Sequence, residues 1–347
     1  MTYRGTLWAL LASVWLCTPA LGVDTIRTPN LKPTSVSGRI TKITPTAVTI
    51  EAVGGVEREV PVNEIASISF DGEPTGIAKA RTEIANGRLE DALAVLEKLN
   101  LPPNTRKPLL QEVEFLRLYC RAQLALAGSG EITQVGSELA RFIKENPESY
   151  HWYRANELIG ELLVAAGRHD RAEPFYAEVA KAPWPDYKMR AAVGMGKALL
   201  AQNKLAEAKK VFDEALSITG DSPQARTQRA IATLGNAKIL ALEKKPDEAI
   251  KLVSGIIDKA DPEDTTLLAQ AHLTRGIAYR QAGKFKEALM DFLHVDILYF
   301  SVPEVHAEAL FNLIQLWEQD RRADRAAEAR QRLLSRYKNS VWAQKAG

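Results

Sequence analysis

Five histidines, His151, His169, His272, His294 and His306, are the side chains of this chain best suited to metal or acid–base chemistry. No two of them stand four apart around a glutamate, the spacing that sets two imidazoles on one helix face beside a general base. Cys17 and Cys120 are the only cysteines, so no closely spaced pair exists to complete a zinc site. The stretch GMGKALL has the look of a phosphate loop, but it reads as helix and no strand precedes it. There is no G-x-S-x-G nucleophile turn and no dinucleotide fingerprint. Carboxylates such as Glu207 and Asp213 fall on faces that read as solvated. These residues predict a protein that is not an enzyme and needs no cofactor or metal.

A different spacing organises the chain. Gly160, Gly196 and Gly276 are each followed twelve residues later by alanine, at Ala172, Ala208 and Ala288. Four residues further on come aromatics, Tyr176, Phe212 and Phe292. Five residues before each alanine is a residue suited to a left-handed turn: Gly167, Asn203 and Gly283. Small residues let two antiparallel helices approach, the turn residue reverses the chain, and the aromatic fills the gap above the small pair. Ala80, Gly87, Ala92 and Leu96 repeat the pattern. Residues 226–260 form a looser unit, in which either Gly235 or Ala237 is the packing partner of Ala249. Prolines at Pro102, Pro147, Pro183, Pro223, Pro262 and Pro303 mark unit ends, since proline cannot continue a helix.

The N-terminal quarter differs. Arg4, the uncharged run Leu7–Leu16 and the small residues Ala20 and Gly22 read as a secretory signal peptide over 1–22, cleaved after Gly22. The run is shorter than the roughly 20 apolar residues of a membrane span. Leu16 before Cys17 disfavours the alternative of lipid attachment. Residues 23–35, polar with two prolines, read as a linker. Over 36–74 the period changes to two: Arg39–Ile43, then Val48 and Ile50, then Val56–Val62 after the Gly54-Gly55 turn, and Ser67–Phe70. This small module of four to five strands resembles an SH3-like or Sm-like barrel, a structural cap or docking unit. Its apolar residues, among them Ile68 and Phe70, are expected to pack near Ile77 and Ile84.

Residues 75–347 resemble the tetratricopeptide repeat (TPR) family. RGIAYRQAGKFKEALMDF, from Arg275 to Phe292, is the best match, LLVAAGRHDRAEPFY and LLAQNKLAEAKKVF are good ones, and 109–147 and 304–347 are degenerate. The tail LLSRYKNSVWAQKA is similar to terminal units of bacterial envelope repeat proteins, although Lys338 stands where proline is usual. The expected fold is mainly α: a TPR-like solenoid of about six to seven helix pairs after the β module. The resemblance implies that the first helix of each pair lines a concave groove. Its candidate ligand-facing residues are Arg154, Glu157, Glu161, Arg190, Lys197, Gln270 and Arg280, with Asn236, Lys238 and His306 from looser units. Arg190, Lys197, Lys238 and Arg280 would give the groove a modest positive bias, suited to a carboxylate or acidic peptide.

The net charge of +2 offers no track for a polyanion, so nucleic acid is not an expected partner. The expected function is a protein- or peptide-binding adaptor of the bacterial periplasm or cell envelope, with secretion the alternative location. A structural envelope subunit is the second reading. Polysaccharide binding through Trp152 and Trp184 is the third.

Overall fold

The computed structural model describes residues 23–52 and 54–347; the expected leader lies outside the described residues. The first element overturns the linker reading of 23–35. β1 (Asp24–Arg27) is followed by β2 (Ser35–Ile43), β3 (Ala47–Ala52), β4 (Glu57–Pro61), a 3₁₀ turn (Val62–Glu64) and β5 (Ser67–Ser69). All pairings are antiparallel, in the order β4-β3-β2-β1-β5. β1 therefore sits inside the sheet, with Ile26 opposite both Val36 and Ile68. A register shift between Ile40 and Lys42 bends β2, and at Gly38 any Cβ would lie 2.1 Å from the Glu51 carbonyl oxygen. The two strands close up there because glycine is present.

Alternation gives the sheet one apolar face, and a helix layer covers it. Ile26, Val48, Ile50, Val60, Ile68 and Phe70 share a core with Ile77, Ala80, Leu96 and Val113, with Ile84 packed alongside. The expected docking of the strands on the first helices is what forms. Cys120 lies in the same core, and burial pushes its thiol up to about 12, so it stays an unreactive apolar filler.

Seven helix pairs follow, in agreement with the expected solenoid. They are α1 (Thr75–Ala85) with α2 (Leu89–Glu97), α3 (Lys107–Leu126) with α4 (Ile132–Glu145), and α5 (Trp152–Ala165) with α6 (His169–Ala180). Next come α7 (Pro185–Ala201) with α8 (Leu205–Ser217) and α9 (Pro223–Leu242) with α10 (Pro246–Ile257). The last pairs are α11 (Thr265–Gln281) with α12 (Phe285–Leu298) and α13 (Pro303–Gln319) with α14 (Ala323–Arg336); α15 (Val341–Ala346) ends the array. None of the described helices is long and apolar enough to cross a membrane.

The twelve-residue rhythm has a direct structural cause. A Cβ placed on Gly160, Gly196 or Gly276 would come within 2.9 Å of the ring of Tyr176, Phe212 or Phe292 respectively, each the aromatic of its own unit. Each ring thus packs directly against the bare backbone of its partner helix. Gly194 and Gly235 do the same from the following unit, at 2.3 Å from Tyr176 and 2.4 Å from Phe212. That settles the loose unit: Gly235 serves the preceding aromatic, and fully buried Ala237 is the partner of Ala249, twelve residues on. Gly167, Asn203 and Gly283 all take positive φ.

A charged knot fastens sheet to array. Glu112 of α3 accepts from Arg81 of α1 at 3.0 Å, from His151 at 2.8 Å and from the Tyr150 hydroxyl. Arg81 also holds Glu73, which follows β5, at 2.7 Å. Burial would raise the Glu112 pKa, but His151, then Arg81 and Tyr150, outweigh it and hold the carboxyl at about 2. Beside the knot, buried Asp24 of β1 accepts from the backbone N–H groups of Ile40 and Asp71 and from Arg106, just ahead of α3.

At the other end, the array returns on itself. The Asn339 N–H donates to the Gly128 carbonyl at 3.2 Å, and the Ser129 hydroxyl donates to the Arg336 carbonyl at 3.3 Å. The segment between α14 and α15 therefore rests on the turn between α3 and α4.

Candidate functional site

Odd-numbered helices pack on one another along the array, α3 on α5, α5 on α7, α7 on α9, α9 on α11 and α11 on α13. They form one continuous layer, the inner helices of the pairs, and two charged clusters stand on it.

The first joins α5 to α7. Glu157 takes Arg154 at 2.7 Å from one turn earlier and both nitrogens of the Arg190 fork from the next inner helix. Arg154 also reaches Glu161 at 3.1 Å. The guanidinium of Arg190 lies 4.8 Å from the Tyr187 ring centre, and that of Arg154 lies 5.8 Å from Tyr119. Burial works to raise the Glu157 pKa, but the charges of Arg154 and Arg190 prevail and hold it at about 2. Glu161 goes the other way. Its burial raises the pKa beyond what Arg154 can offset, and neighbouring Glu157 adds to the rise.

The second cluster spans α9, α11 and α13. Lys238 lies 3.5 Å from Glu308, bridging α9 to α13 across the intervening helix. Arg280 of α11 donates to the amide oxygen of Gln315 on α13. Burial lowers the Arg280 pKa, and nearby Glu308 restores only part of it. Gln270, also on α11, is half-buried.

These contacts correct the expected positive bias. Arg154 and Arg190 are matched by Glu157 and Glu161, and Lys238 by Glu308, so most of the cationic character is spent within the protein. Lys197, exposed and with no carboxylate within 4 Å among the described residues, is the cation left free beside the first cluster.

Two other candidates leave the groove. His306 is 2% exposed and is held from both sides, by Asp296 at 2.9 Å and the Tyr337 hydroxyl at 2.6 Å, while Arg332 clamps Asp296 at 2.7 Å. It ties α13 to α12 and α14 and cannot meet a ligand. Asn236 donates to Asp213 of the outer helix α8 at 2.8 Å, so its amide faces the neighbouring unit. Trp152 and Trp184 pack edge-on around Tyr153, and Trp184 also leans on Tyr187. Glu308 and Gln315 escaped the sequence reading because they lie in a degenerate unit; Glu308 sits two residues after His306, on the opposite side of its helix.

Residues 163–231 match the tetratricopeptide repeat family model. No curated protein matches the chain in sequence. Among solved structures, a Rap protein complexed with competence and sporulation factor shares 15% identity, with a TM-score of 0.57 over 78% of this chain and 76% of that one. A tetratricopeptide repeat protein from Parabacteroides merdae shares 17% identity, with a TM-score of 0.49 over 78% and 96%. The helical array is an α-solenoid of the tetratricopeptide-repeat type, carrying an N-terminal five-stranded antiparallel sheet.

Proposed function

We propose that this protein is a non-catalytic adaptor of the bacterial cell envelope that holds a peptide or protein segment against its inner face. The observation that carries the reading is the second charged cluster. Lys238, Arg280, Glu308 and Gln315 are polar groups gathered from three successive inner helices onto one surface, where hydrophobic packing alone would have sufficed to join them. Mixed donors and acceptors of this kind suit the amide groups and mixed charges of an extended peptide. The Rap protein of similar fold was solved with competence and sporulation factor, which supports the same use of the array here.

Export is part of the proposal, supported by Arg4, the Leu7–Leu16 run and Gly22. The strand order, with its 3₁₀ turn before β5, supports an SH3-like reading of the sheet, acting as a cap on α1–α3. A second reading, an assembly subunit, is favoured by the outer face of α12, where Met290, Ile297 and Leu298 are each more than half exposed. Photo-crosslinkers placed at Lys197 and Lys238, and separately at Met290 and Ile297, distinguish the two in envelope preparations. Adducts from the first pair alone support the groove; adducts from the second pair alone refute it.

A further inference from the structure

One cluster on the outer side of the array has no part in the groove. His272 of α11 and His294 of α12 stack with ring centres 4.7 Å apart and planes within 7°. The Nδ1 of His272 faces Asp291 Oδ1 at 2.8 Å, and the Nδ1 of His294 faces the Met290 carbonyl at 2.7 Å. An ionised carboxylate and a carbonyl can only accept, so both Nδ1 atoms carry the proton. Each neutral ring therefore has its lone pair at Nε2. That is how metal-binding histidines are set up, with one nitrogen tied to an acceptor and the other left to ligate.

Neither Nε2 atom has a hydrogen-bond partner among the described residues. His272 is 6% exposed, and Tyr299 covers its ring at 5.6 Å. Its orientation is thus fixed by packing. His294 is partly exposed and sits between Met290 and Ile297, both open to solvent. One nitrogen is held and the other can adjust.

We infer that His272 and His294 form a binding site for a borderline divalent cation of the zinc, copper or nickel class. One ligand atom from each histidine and one from Asp291 lie within 4.8 Å of one another. Two nitrogens on a tetrahedral zinc stand about 3.3 Å apart, given Zn–N distances of about 2.0–2.1 Å. The stacked rings hold their lone pairs in parallel planes, so His294, the more exposed of the two, must swing out of the stack to bring its Nε2 beside that of His272. Asp291 is a positioning group here. Arg275 occupies both its oxygens at 2.8 Å, so the pair is neutral toward an incoming cation while Asp291 still orients His272. Imidazole nitrogens select this class of metal over magnesium or calcium, which require oxygen donors. The remaining coordination positions open beside His294 to solvent or to a donor from outside the chain.

The test is titration of the metal-stripped full chain with Cu²⁺ alone, followed by electron paramagnetic resonance, and with Zn²⁺ alone, followed by calorimetry. One equivalent with hyperfine coupling from two imidazole nitrogens is expected. His294→Ala removes a partly exposed ring, keeps the thermal unfolding curve, and should abolish the two-nitrogen signal and the calorimetric heat. Asp291→Asn should weaken binding by about 10–100-fold, as loss of an orienting partner does. The inference is overturned if the chain takes up neither ion, or if His294→Ala binds both as tightly as the parent.

Discussion

The knot around Glu112 and the cluster around Glu308 use the same residue types to opposite ends. Glu112 is enclosed. Arginine, histidine and tyrosine satisfy it, and burial makes each of those bonds hard to replace with water. Glu308 is served loosely, by one lysine at 3.5 Å, with an arginine nearby that donates elsewhere. A closed network fixes geometry and leaves nothing for a ligand. An under-served one keeps bonding capacity at the surface. Degree of satisfaction, more than charge, separates the charges that build this protein from those available to act.

The sharpest way to break that contrast is Glu112→Ala. It takes the buried acceptor from His151 and Tyr150, leaves Arg81 with Glu73 alone, and should cost about 3–5 kcal/mol in chemical denaturation, the usual loss when one partner of a buried pair is removed. Glu308→Ala in the same assay should be nearly silent; equal losses would refute the distinction.

Acid comes next. A carboxylate held low in the folded state stabilises fully above its unfolded pKa of about 4.3, and the contribution is lost as pH falls through the folded value. With Glu112 and Glu157 both at about 2, stability should fall steeply between about pH 4 and pH 2. Melting followed across that range should show a shallower slope in Glu112→Gln than in the parent.

A smaller effect is expected where packing, and not charge, shapes the groove. Gly196→Ala drives a methyl to 2.6 Å from the Phe212 ring and should cost about 1–3 kcal/mol. Gly136→Ala, with open space around its Cβ, is the matched control and should lose nothing by this mechanism.

The smallest effect on stability should come from Lys197→Glu, because the side chain is exposed and unpaired. Its melting temperature should match the parent, and recovery of crosslinked partner should drop, more so at low salt than at high. Unchanged recovery at low salt would remove Lys197 from the binding surface.

The array was legible because its rule is steric: a ring needs bare backbone beneath it, and only glycine supplies that at Gly160, Gly196 and Gly276. Where the rule relaxed, the signal faded. Lys244 and Arg321 take the left-handed turn that glycine fills elsewhere, hiding two units from a search for small residues. β1 was missed because a four-residue strand with one central aliphatic, Ile26, has too little alternation to show, and its anchor is the polar Asp24. The site was half legible. The repeat resemblance pointed to the first helix of each pair, but Arg154 and Arg190 looked free until α5 and α7 were placed side by side. His306 looked available until Asp296 and Tyr337 came in from ten and thirty-one residues away.

The hydrogen bond from Asn339 to Gly128 joins positions far apart in the order of the array. In an open solenoid each unit touches only its neighbours, so the ends can fray without the middle knowing. This seam makes the last unit and the second into neighbours as well, turning a line of units into a circuit. Loosening of the last unit must then open the seam, which couples that unit thermodynamically to the second.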